Sequence, residues 1–299
     1  MDIDDLQMAV VIGREGSLTA ASTRLGVQPG TLSKAVARLE RATKIKLFER
    51  HPRGMKPTEL GAVFLKSAER IDIDAQDLYA ELRDLRQSRS GVLRLGLGHG
   101  IPDQWARPLL TDFIERGVRI DLCGGVTDTL MRGVTLGEIE FAVIGLTQPP
   151  SKGLAWEAIL DDPMQPIAPL THPLAAPGRT TSWPELAQAR WIMSGPGTST
   201  YAEFQANFTA QGIRPPQPSV SSRSSKRERM LAIALDSLLL ASRSSLNDPE
   251  QQSKFAVVTP ADGWRSERRV GIVYRADGYL SPSAIRAIEL LKEVMLVSI

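Results

Sequence analysis

The spacing of apolar residues changes near Gly91, and this change divides the 299-residue chain into two parts of different fold class. Before it, apolar side chains recur every three to four residues, as they do on one face of a helix. After it, short apolar runs alternate with helical patterns, as in sheets built from β-α units. A chain of this length is expected to hold two or three domains. The sequence therefore predicts a helical N-terminal part and an α/β C-terminal part.

The first sixty residues contain the start and stop signals of three short helices. Gly16 and Gly26 each follow an apolar periodic stretch, where glycine ends a helix readily because it adopts a positive φ. Ser17 is placed to cap the second helix, and Pro29 is tolerated at the first position of the third. Two short helices joined by a tight turn predict a helix-turn-helix. The turn-rich segment 50–54 beyond them predicts a two-stranded wing with a basic tip.

A long helix is predicted from Glu59 to about residue 89, with Thr58 as its cap. Its apolar positions advance in alternating steps of four and three, which is the pattern of a two-stranded coiled coil. These positions are Phe64, Ala68, Ile71, Ala75, Leu78, Leu82 and Leu85. The alternative is an amphipathic helix that packs on its own domain. We favour a dimerisation helix, because too little neighbouring chain is available to cover so long a stripe.

The β-α alternation after residue 91 predicts an open, largely parallel sheet followed by a second α/β lobe. Two lobes joined by crossing strands enclose a cleft, which is a usual place for a small ligand. The expected domains are a winged helix-turn-helix at 1–58, a linker helix at 59–90 and a two-lobed α/β domain at 91–299, with lobe I at 91–161 and 268–299 and lobe II at 162–267.

Charge is unevenly distributed along the chain. The net charge is only +2, but residues 1–60 hold ten Lys and Arg against seven Asp and Glu, so the positive excess lies in this segment. Such an excess is a weak indication of nucleic-acid binding. On charge alone, an ordinary solvated surface is the better explanation.

Composition argues against several other classes of protein. The apolar stretch Leu231–Ala241 is too short for a membrane span, which needs about 20 residues. The acidic N-terminus does not resemble a secretory signal. A single cysteine, Cys123, cannot form an internal disulfide and fits a reducing cytoplasm; we expect it to be a buried apolar residue. The three histidines are scattered along the chain and give little indication of a metal site. The sequence contains no nucleotide-binding loop and no nucleophile elbow. We expect a cytoplasmic protein that is not an enzyme and has no cofactor.

Six short segments in the first sixty-six residues carry a family resemblance. They are Gly16-Ser17-Leu18-Thr19-Ala20-Ala21, Leu25-Gly26-Val27, Leu32-Ser33-Lys34-Ala35-Val36, Arg38-Leu39-Glu40, Leu47-Phe48-Glu49-Arg50 and Pro57-Thr58-Glu59-Leu60-Gly61. In sequence and spacing they resemble LysR-type transcriptional regulators. Scattered landmarks at 136–143, 172–175 and 280–282 extend the resemblance over nearly the whole chain.

The resemblance implies a winged helix-turn-helix, a coiled-coil linker helix and an effector domain folded like the periplasmic solute-binding proteins. It also implies a homotetramer assembled as a dimer of dimers. The implied partners are double-stranded DNA, a small-molecule co-inducer and RNA polymerase, with no membrane. The alternatives are a solute-binding protein and an enzyme that uses the cleft. Both fit the sheet portion, but neither accounts for the N-terminal helix-turn-helix.

The expected DNA contacts lie on the third helix and the wing. A recognition helix presents its N-terminal residues to base edges, whereas basic residues of a wing contact phosphates. The candidates are Gln28, Pro29, Thr31, Ser33, Lys34, Arg38, Arg50, Arg53 and Lys56. Many relatives have Ser-Gln-Pro at the turn, whereas here Gln28 and Pro29 stand one residue earlier. Gln28 therefore either contacts a base or caps the third helix.

The expected effector contacts lie in loops that join strands to helices. Backbone N–H groups at helix N-termini favour an anion, and by resemblance relatives hold small carboxylate inducers in these loops. The candidates are Gly98, His99, Gly100, Ile101, Thr127, Asp128, Gly145, Thr147, Thr198 and Ser199. For each one, ordinary helix capping is the alternative. Arg223 and Lys226 could neutralise a ligand, although exposure on the surface is the favoured reading.

Overall fold

The computed structural model describes residues 2–51, 54–86 and 92–297. The chain divides into two compact units, Met1–Arg86 and Gln87–Ile299. Each unit has its own apolar core, so each is described by itself. The long linker helix belongs to the first unit together with the helix-turn-helix.

Three helices form the body of the first unit: α1 (Ile3–Glu15), α2 (Leu18–Leu25) and α3 (Pro29–Thr43). The predicted helix ends are confirmed, because Gly16 and Gly26 lie in the left-handed region with φ of 64° and 66°. The Ser17 side chain accepts a hydrogen bond from the Ala20 N–H and so caps α2. The three helices share one core, whose fully buried members include Ala9, Ile12, Ala21, Leu32 and Leu39.

The predicted wing is confirmed as an antiparallel pair, β1 (Phe48–His51) and β2 (Gly54–Pro57). Two hydrogen bonds fix it to the helices. The Met55 N–H donates to the Gly16 carbonyl at 2.8 Å, and the Leu47 N–H donates to Glu40 Oε1 at 2.8 Å. Because Glu40 belongs to α3, the wing and the third helix are held in one arrangement. The predicted contact residue Arg53 lies outside the described residues.

The predicted long helix is α4 (Glu59–Arg86), and Thr58 caps it by accepting a hydrogen bond from the Gly61 N–H at 2.8 Å. The apolar stripe of this helix is partly buried in the core of the first unit and partly exposed to solvent. Ala68 is buried in the core of the unit, so the prediction that it belongs to a dimer seam is wrong, whereas Phe64 packs against that core and stays half exposed. The exposed members of the seam are Ile71, Leu78, Leu82 and Leu85.

The second unit alternates strands and helices, as predicted. Its first elements are β3 (Val92–Gly98), α5 (Asp103–Glu115), β4 (Arg119–Gly125), α6 (Thr127–Thr135), β5 (Phe141–Leu146) and β6 (Leu154–Asp161). Then follow β7 (Met164–Pro169), β8 (Thr180–Thr181), α7 (Trp183–Gln188), β9 (Ile192–Met193), α8 (Ser199–Ala210), β10 (Val220–Ser221) and α9 (Ser225–Leu235). The last are β11 (Leu239–Ser242), α10 (Pro249–Gln252), β12 (Phe255–Val257), β13 (Thr259–Pro260), β14 (Arg269–Arg275) and α11 (Pro282–Val297).

Five strands form the larger sheet, in the order β4-β3-β5-β14-β6. β4, β3 and β5 are parallel, and β14 runs antiparallel to both β5 and β6. Four strands therefore share one direction, which confirms the prediction of a largely parallel sheet. Helices cover both faces, because Leu95 and Val143 pack with α5 and α11 while the alternate residues Ala142 and Ile144 pack with α6.

Cys123 is exposed on this sheet, so the expectation that it would be buried is wrong. The physical reason is its position on β4, which is the edge strand and has mostly exposed residues. An edge strand has a neighbour on one side only, so its side chains are covered less than those of a central strand.

The second lobe is built around the three-stranded antiparallel sheet β11-β7-β12. Its core is rich in aromatic rings that pack edge to face or stacked at 4.9–6.4 Å, which stabilises them beyond simple burial. The rings are those of Trp183, Trp191, Tyr201, Phe204, Phe208 and Trp264. The chain enters this lobe after β6 and returns to the larger sheet at β14. None of the described helices is long and apolar enough to cross a membrane.

Candidate nucleic-acid interface and ligand cleft

One face of α3 is buried and the opposite face is open to solvent. The buried face consists of Leu32, Ala35, Val36 and Leu39, which fix the helix on the core. The exposed face carries the predicted contacts of this helix, which are Gln28, Pro29, Thr31, Ser33, Lys34 and Arg38. The structure thus brings together on one surface the residues that the sequence analysis selected on this helix.

Gln28 and Lys34 have side chains that are available to a ligand. Gln28 stands at the N-cap position, but its side chain forms no capping hydrogen bond. In the described part of the chain, Lys34 has no hydrogen-bond or ion-pair partner. A glutamine can bind adenine through two hydrogen bonds, and a lysine can reach the acceptors of guanine. Both side chains therefore have the chemistry and the freedom that base contact requires.

Arg38 differs from Lys34 because its guanidinium is already paired. Its Nε donates to Asp5 Oδ2 at 2.8 Å, and its Nη2 bonds the other oxygen of the same carboxylate. Asp5 belongs to α1 and is buried. The hydrogen bond from Arg38 lowers the pKa of the Asp5 carboxyl below its ordinary value. Arg38 consequently joins α3 to α1, a role that the sequence analysis did not foresee.

A groove runs between α3 and the wing. It is lined by Ser33, Ala37 and Glu40 from α3 and by residues of the wing that include Arg50 and Met55. Arg50 and Lys56 are both exposed on the hairpin. Cations on a hairpin beside a recognition helix suit contact with phosphates, which positions a protein on DNA without specifying sequence.

The second unit contains a cavity of about 100 Å³ at the ends of its strands. Nine of the ten predicted effector contacts line it, namely Gly98, His99, Gly100, Thr127, Asp128, Gly145, Thr147, Thr198 and Ser199. Ile101 does not line it. Ile101 follows the turn at His99 and Gly100, and its side chain is buried in the core cluster that also contains Trp105 and Leu97.

Loop geometry explains why these residues meet. Gly98 ends β3, Thr127 begins α6 and Thr198 caps α8, so two helix N-termini face the cavity. The Thr198 side chain accepts from the Tyr201 N–H at 3.2 Å and donates to the Gly195 carbonyl at 3.0 Å. Thr198 therefore also caps α8, which was the alternative interpretation of this residue. Helix N-termini carry partial positive charge, which favours an anion in the cavity.

Four charged residues of the cavity were missed by the sequence analysis: Glu203, Glu228, Arg229 and Arg268. Burial raises the pKa of Glu203 and raises that of Glu228 to about 7. Burial also lowers the pKa of Arg229 and, on the other wall, that of the His99 imidazole. Arg223 and Lys226, which the sequence analysis considered as cations for a ligand, are exposed as favoured there.

Sequence signals for these residues were weak. Glu228 and Arg229 lie in the polar run Ser-Lys-Arg-Glu-Arg, which resembles an ordinary solvated helix face. Only the packing of α9 against β7 and β9 turns two of its charged residues inward. Among the described residues, no group of three or more His, Cys, Asp and Glu side chains is arranged to hold a metal ion.

Two family models match the chain. The model of the bacterial regulatory helix-turn-helix protein, lysR family, matches residues 3–62, and that of the LysR substrate binding domain matches residues 86–296. GbpR, a transcriptional regulator of Azospirillum brasilense, is 25% identical over 96% of this chain and 84% of its own. The RuBisCO operon transcriptional regulator of Allochromatium vinosum is also 25% identical, over 95% of this chain and 93% of its own.

Solved structures show the same fold over nearly the whole chain. Full-length OxyR from Pseudomonas aeruginosa has a TM-score of 0.64 and 20% identity, covering 99% of this chain and 94% of its own. CbnR in complex with its target DNA has a TM-score of 0.51 and 20% identity, covering 98% of this chain and 99% of its own. The helix-turn-helix, the cleft and both family models agree: the chain belongs to the LysR family of DNA-binding transcription regulators with an effector-binding domain.

Proposed function

We propose that this regulator binds double-stranded DNA in a sequence-specific manner through the exposed face of α3. The observation that carries the proposal is the free, outward Lys34 beside Gln28 and Thr31 on a helix whose other face is buried. Base edges in the major groove are read by helix residues of this kind. We assign Arg50 and Lys56 of the wing, and Arg53 between them in the sequence, to contacts with the sugar-phosphate backbone. CbnR, a protein of the same fold, was solved with its target DNA, which supports DNA binding as the role of this fold.

We further propose a homotetramer built as a dimer of dimers, with α4 forming the primary dimer. Ile71, Leu78, Leu82 and Leu85 lie exposed along one stripe of this helix, with charged residues between them. A heptad stripe of this kind is covered when two helices wind around each other. Paired α4 helices would present two copies of α3 to two half-sites of DNA.

The ligand of the cleft is a small molecule with an anionic group. Two helix N-termini, Arg229 and Arg268 all contribute positive potential to the cavity. Binding between the lobes changes the balance between two arrangements of the assembly, and this changes the spacing or bending of the bound DNA. The cleft has no catalytic role in this proposal, since the relatives named above are transcriptional regulators. The site of action is the cytoplasm, and RNA polymerase is the expected partner on the promoter.

The experiment that tests DNA binding is a mobility shift on the promoter region adjoining the protein's own gene. The proposal predicts tight binding with a steep decrease as salt increases, because phosphate contacts release counterions. A scrambled duplex of the same length serves as the control. Equal binding to both duplexes would contradict sequence-specific regulation.

A second experiment tests the coupling between the cleft and the DNA. Metabolites that raise the melting temperature of the full-length chain are selected first, since a ligand stabilises the folded state to which it binds. The footprint on the promoter is then compared with and without a selected compound at saturation. The proposal predicts a change in footprint length, and an unchanged footprint would contradict the mechanism.

A further inference from the structure

Glu228 is a buried carboxylate whose hydrogen bonding is incomplete. It lies in the first turns of α9 and lines the ligand cavity, and the residue is only 8% exposed. Its only hydrogen-bond partner among the described residues is the Ser194 hydroxyl, which donates to Oε1 at the long distance of 3.4 Å. A buried carboxylate in water-poor surroundings is stable only when donors or a cation satisfy it. Glu228 can therefore accept a further donor or a cation, which the described residues do not supply.

Arg229, the next residue, is a cation whose hydrogen bonding is also incomplete. Its Nε is buried, and within the described part of the chain it donates to no acceptor. No ion pair joins it to Glu228 among the described residues, although both line the same cavity. The cavity is thus lined by a carboxylate with one long hydrogen bond and by a guanidinium whose Nε has no acceptor among the described residues. These two residues of opposite charge are neighbours in the sequence.

Two of the other charged residues of the cavity, Glu203 and Arg268, already have partners. Glu203 accepts from the Ser266 hydroxyl at 3.0 Å and from the Trp264 indole N–H at 3.4 Å. Arg268 donates to Asp162 at 2.6 Å. What remains for a ligand is therefore the buried pair Glu228 and Arg229, together with Asp128 in the first turn of α6 and the N-termini of α6 and α8.

We propose that the ligand of this cleft is a small zwitterion whose ammonium group is bound by Glu228 and whose carboxylate is bound by Arg229, as in an α-amino acid. The proposal rests on the proposed function and names the chemical class of its ligand. A ligand with an anionic group alone would satisfy Arg229 but would leave Glu228 with only the long hydrogen bond from Ser194 and beside a second negative charge. A simple amine would leave Arg229 and both helix N-termini without an acceptor.

The proposal predicts how binding depends on pH. Burial holds the pKa of Glu228 at about 7 in the empty cleft, so this carboxyl is partly protonated near neutrality. An ammonium group binds the ionised form, so complex formation releases a proton below pH 7 and the affinity increases as pH rises from 6 to 8. The other titratable or charged groups that line the cavity are Arg229, Glu203, Asp128, His99 and Arg268. The Glu228→Gln variant tests whether Glu228 causes this pH dependence of binding, because glutamine does not titrate.

The test uses the full-length chain and matched sets of three probes: an L-α-amino acid, the carboxylic acid that lacks its amino group and the amine that lacks its carboxylate. Norvaline, pentanoate and butylamine form one such set. Sets in which a probe raises the melting temperature of the chain are selected first. Calorimetry at pH 6, 7 and 8 then gives the affinity of each probe in those sets. At least one amino acid is expected to bind ten times more tightly than either of its matched compounds.

Three variants complete the design. Glu228→Gln is expected to weaken amino-acid binding at least tenfold and to remove its pH dependence, without weakening binding of the matched carboxylic acid. Arg229→Gln is expected to weaken both the amino acid and the carboxylic acid. Glu289→Gln, on the exposed face of α11, is the control and should bind like the wild type. The melting temperature of each variant without ligand verifies that it is folded.

Three results would overturn the inference, and they are distinguishable. Carboxylic acids that bind as tightly as their amino acids would refute the zwitterion but leave an anionic effector in place. No binding by any compound of the three classes would count against the zwitterion and against the proposed anionic effector together. Amino-acid binding that is unchanged in Glu228→Gln would refute the role of this residue.

Discussion

Arg268 and Asp162 form a buried ion pair between the two segments that connect the lobes of the second unit. Asp162 follows β6, and Arg268 precedes β14. The guanidinium donates to Asp162 Oδ2 at 2.6 Å, while the Ser244 N–H donates to Oδ1 at 2.8 Å. The side chains of Asp162 and Arg268 are 1% and 11% exposed, so the pair is shielded from water. It therefore fixes both crossing segments at the edge of the ligand cavity.

The first prediction compares this pair with its neighbour along the chain. Arg269 and Asp161 form a second pair at 3.2 Å, but their side chains are 51% and 84% exposed. Asp162→Asn leaves a buried guanidinium uncompensated and should cost about 3–5 kcal/mol in the free energy of unfolding. Asp161→Asn, the control, should cost less than about 1 kcal/mol, because an exposed pair contributes little. Urea unfolding of the full-length chain measures both, and equal losses would contradict the distinction.

The second prediction concerns Gly145, which lies directly against the Arg268 side chain. A Cβ at Gly145 would lie 2.1 Å from Arg268 Nε, so Gly145→Ala must displace a guanidinium that Asp162 holds in place. We expect a loss of about 1–3 kcal/mol in unfolding free energy. Gly124→Ala is the matched control, because a Cβ there meets nothing within 4 Å among the described residues. Thermal unfolding of the two variants checks this, and a fully stable Gly145→Ala would show that Arg268 is not confined.

The third prediction concerns the pair of Arg38 and Asp5 in the first unit. Arg38→Ala leaves the buried Asp5 carboxylate unpaired and should lower the melting temperature at pH 7. Arg41→Ala, on the same helix, should have little effect, because Arg41 is exposed and, among the described residues, bonds only the Ala37 carbonyl of its own helix.

The pH dependence of this difference follows from the pKa of Asp5. That pKa is lowered in the folded chain, so the pair stabilises the protein above the ordinary carboxyl pKa of about 3.9 and loses its effect as pH falls through the lowered value. The difference in stability between wild type and Arg38→Ala should therefore be constant near neutrality and shrink below about pH 4. A difference that persists unchanged in acid would show that Arg38 stabilises the unit by another contact.

The fourth prediction concerns the exposed stripe of α4. Leu82→Glu places a charge in the proposed dimer seam and should raise the dimer dissociation constant at least tenfold, which is about 1.4 kcal/mol. Gln76→Glu introduces the same side chain at an exposed polar position of this helix and should leave association unchanged. Sedimentation over a range of concentrations measures both. A Leu82→Glu chain that associates like the wild type would exclude this stripe from the dimer contact.

Elements of the fold that depend on local signals were predictable from the sequence. Gly16, Gly26 and Ser17 mark helix ends through backbone freedom and capping, which act over a few residues, and α2 begins and ends where they indicate. One local signal was overlooked. Ser182 and Glu185 form a capping box that begins α7, and this S-x-x-E pattern is visible in the sequence.

Features that depend on distant contacts were not predictable. Arg38 and Asp5 are 33 residues apart, and Arg268 and Asp162 are 106 residues apart, so neither pair leaves a local pattern. The cleft loops were predicted because glycine and threonine mark the turns between strands and helices. Glu228 and Arg229 were missed because their burial depends on how α9 packs against other elements, and a polar helical run gives no sign of that packing.

The most direct test of the account compares Lys34→Ala with Lys56→Ala in DNA binding. Fluorescence anisotropy is measured on the promoter duplex and on a scrambled duplex over a range of salt concentrations. Lys34→Ala should lose about 1–3 kcal/mol on the promoter and little on the scrambled duplex. Lys56→Ala should weaken both and reduce the salt slope by about 1. Equal losses on both duplexes from both variants would contradict the claim that the exposed face of α3 reads the DNA sequence.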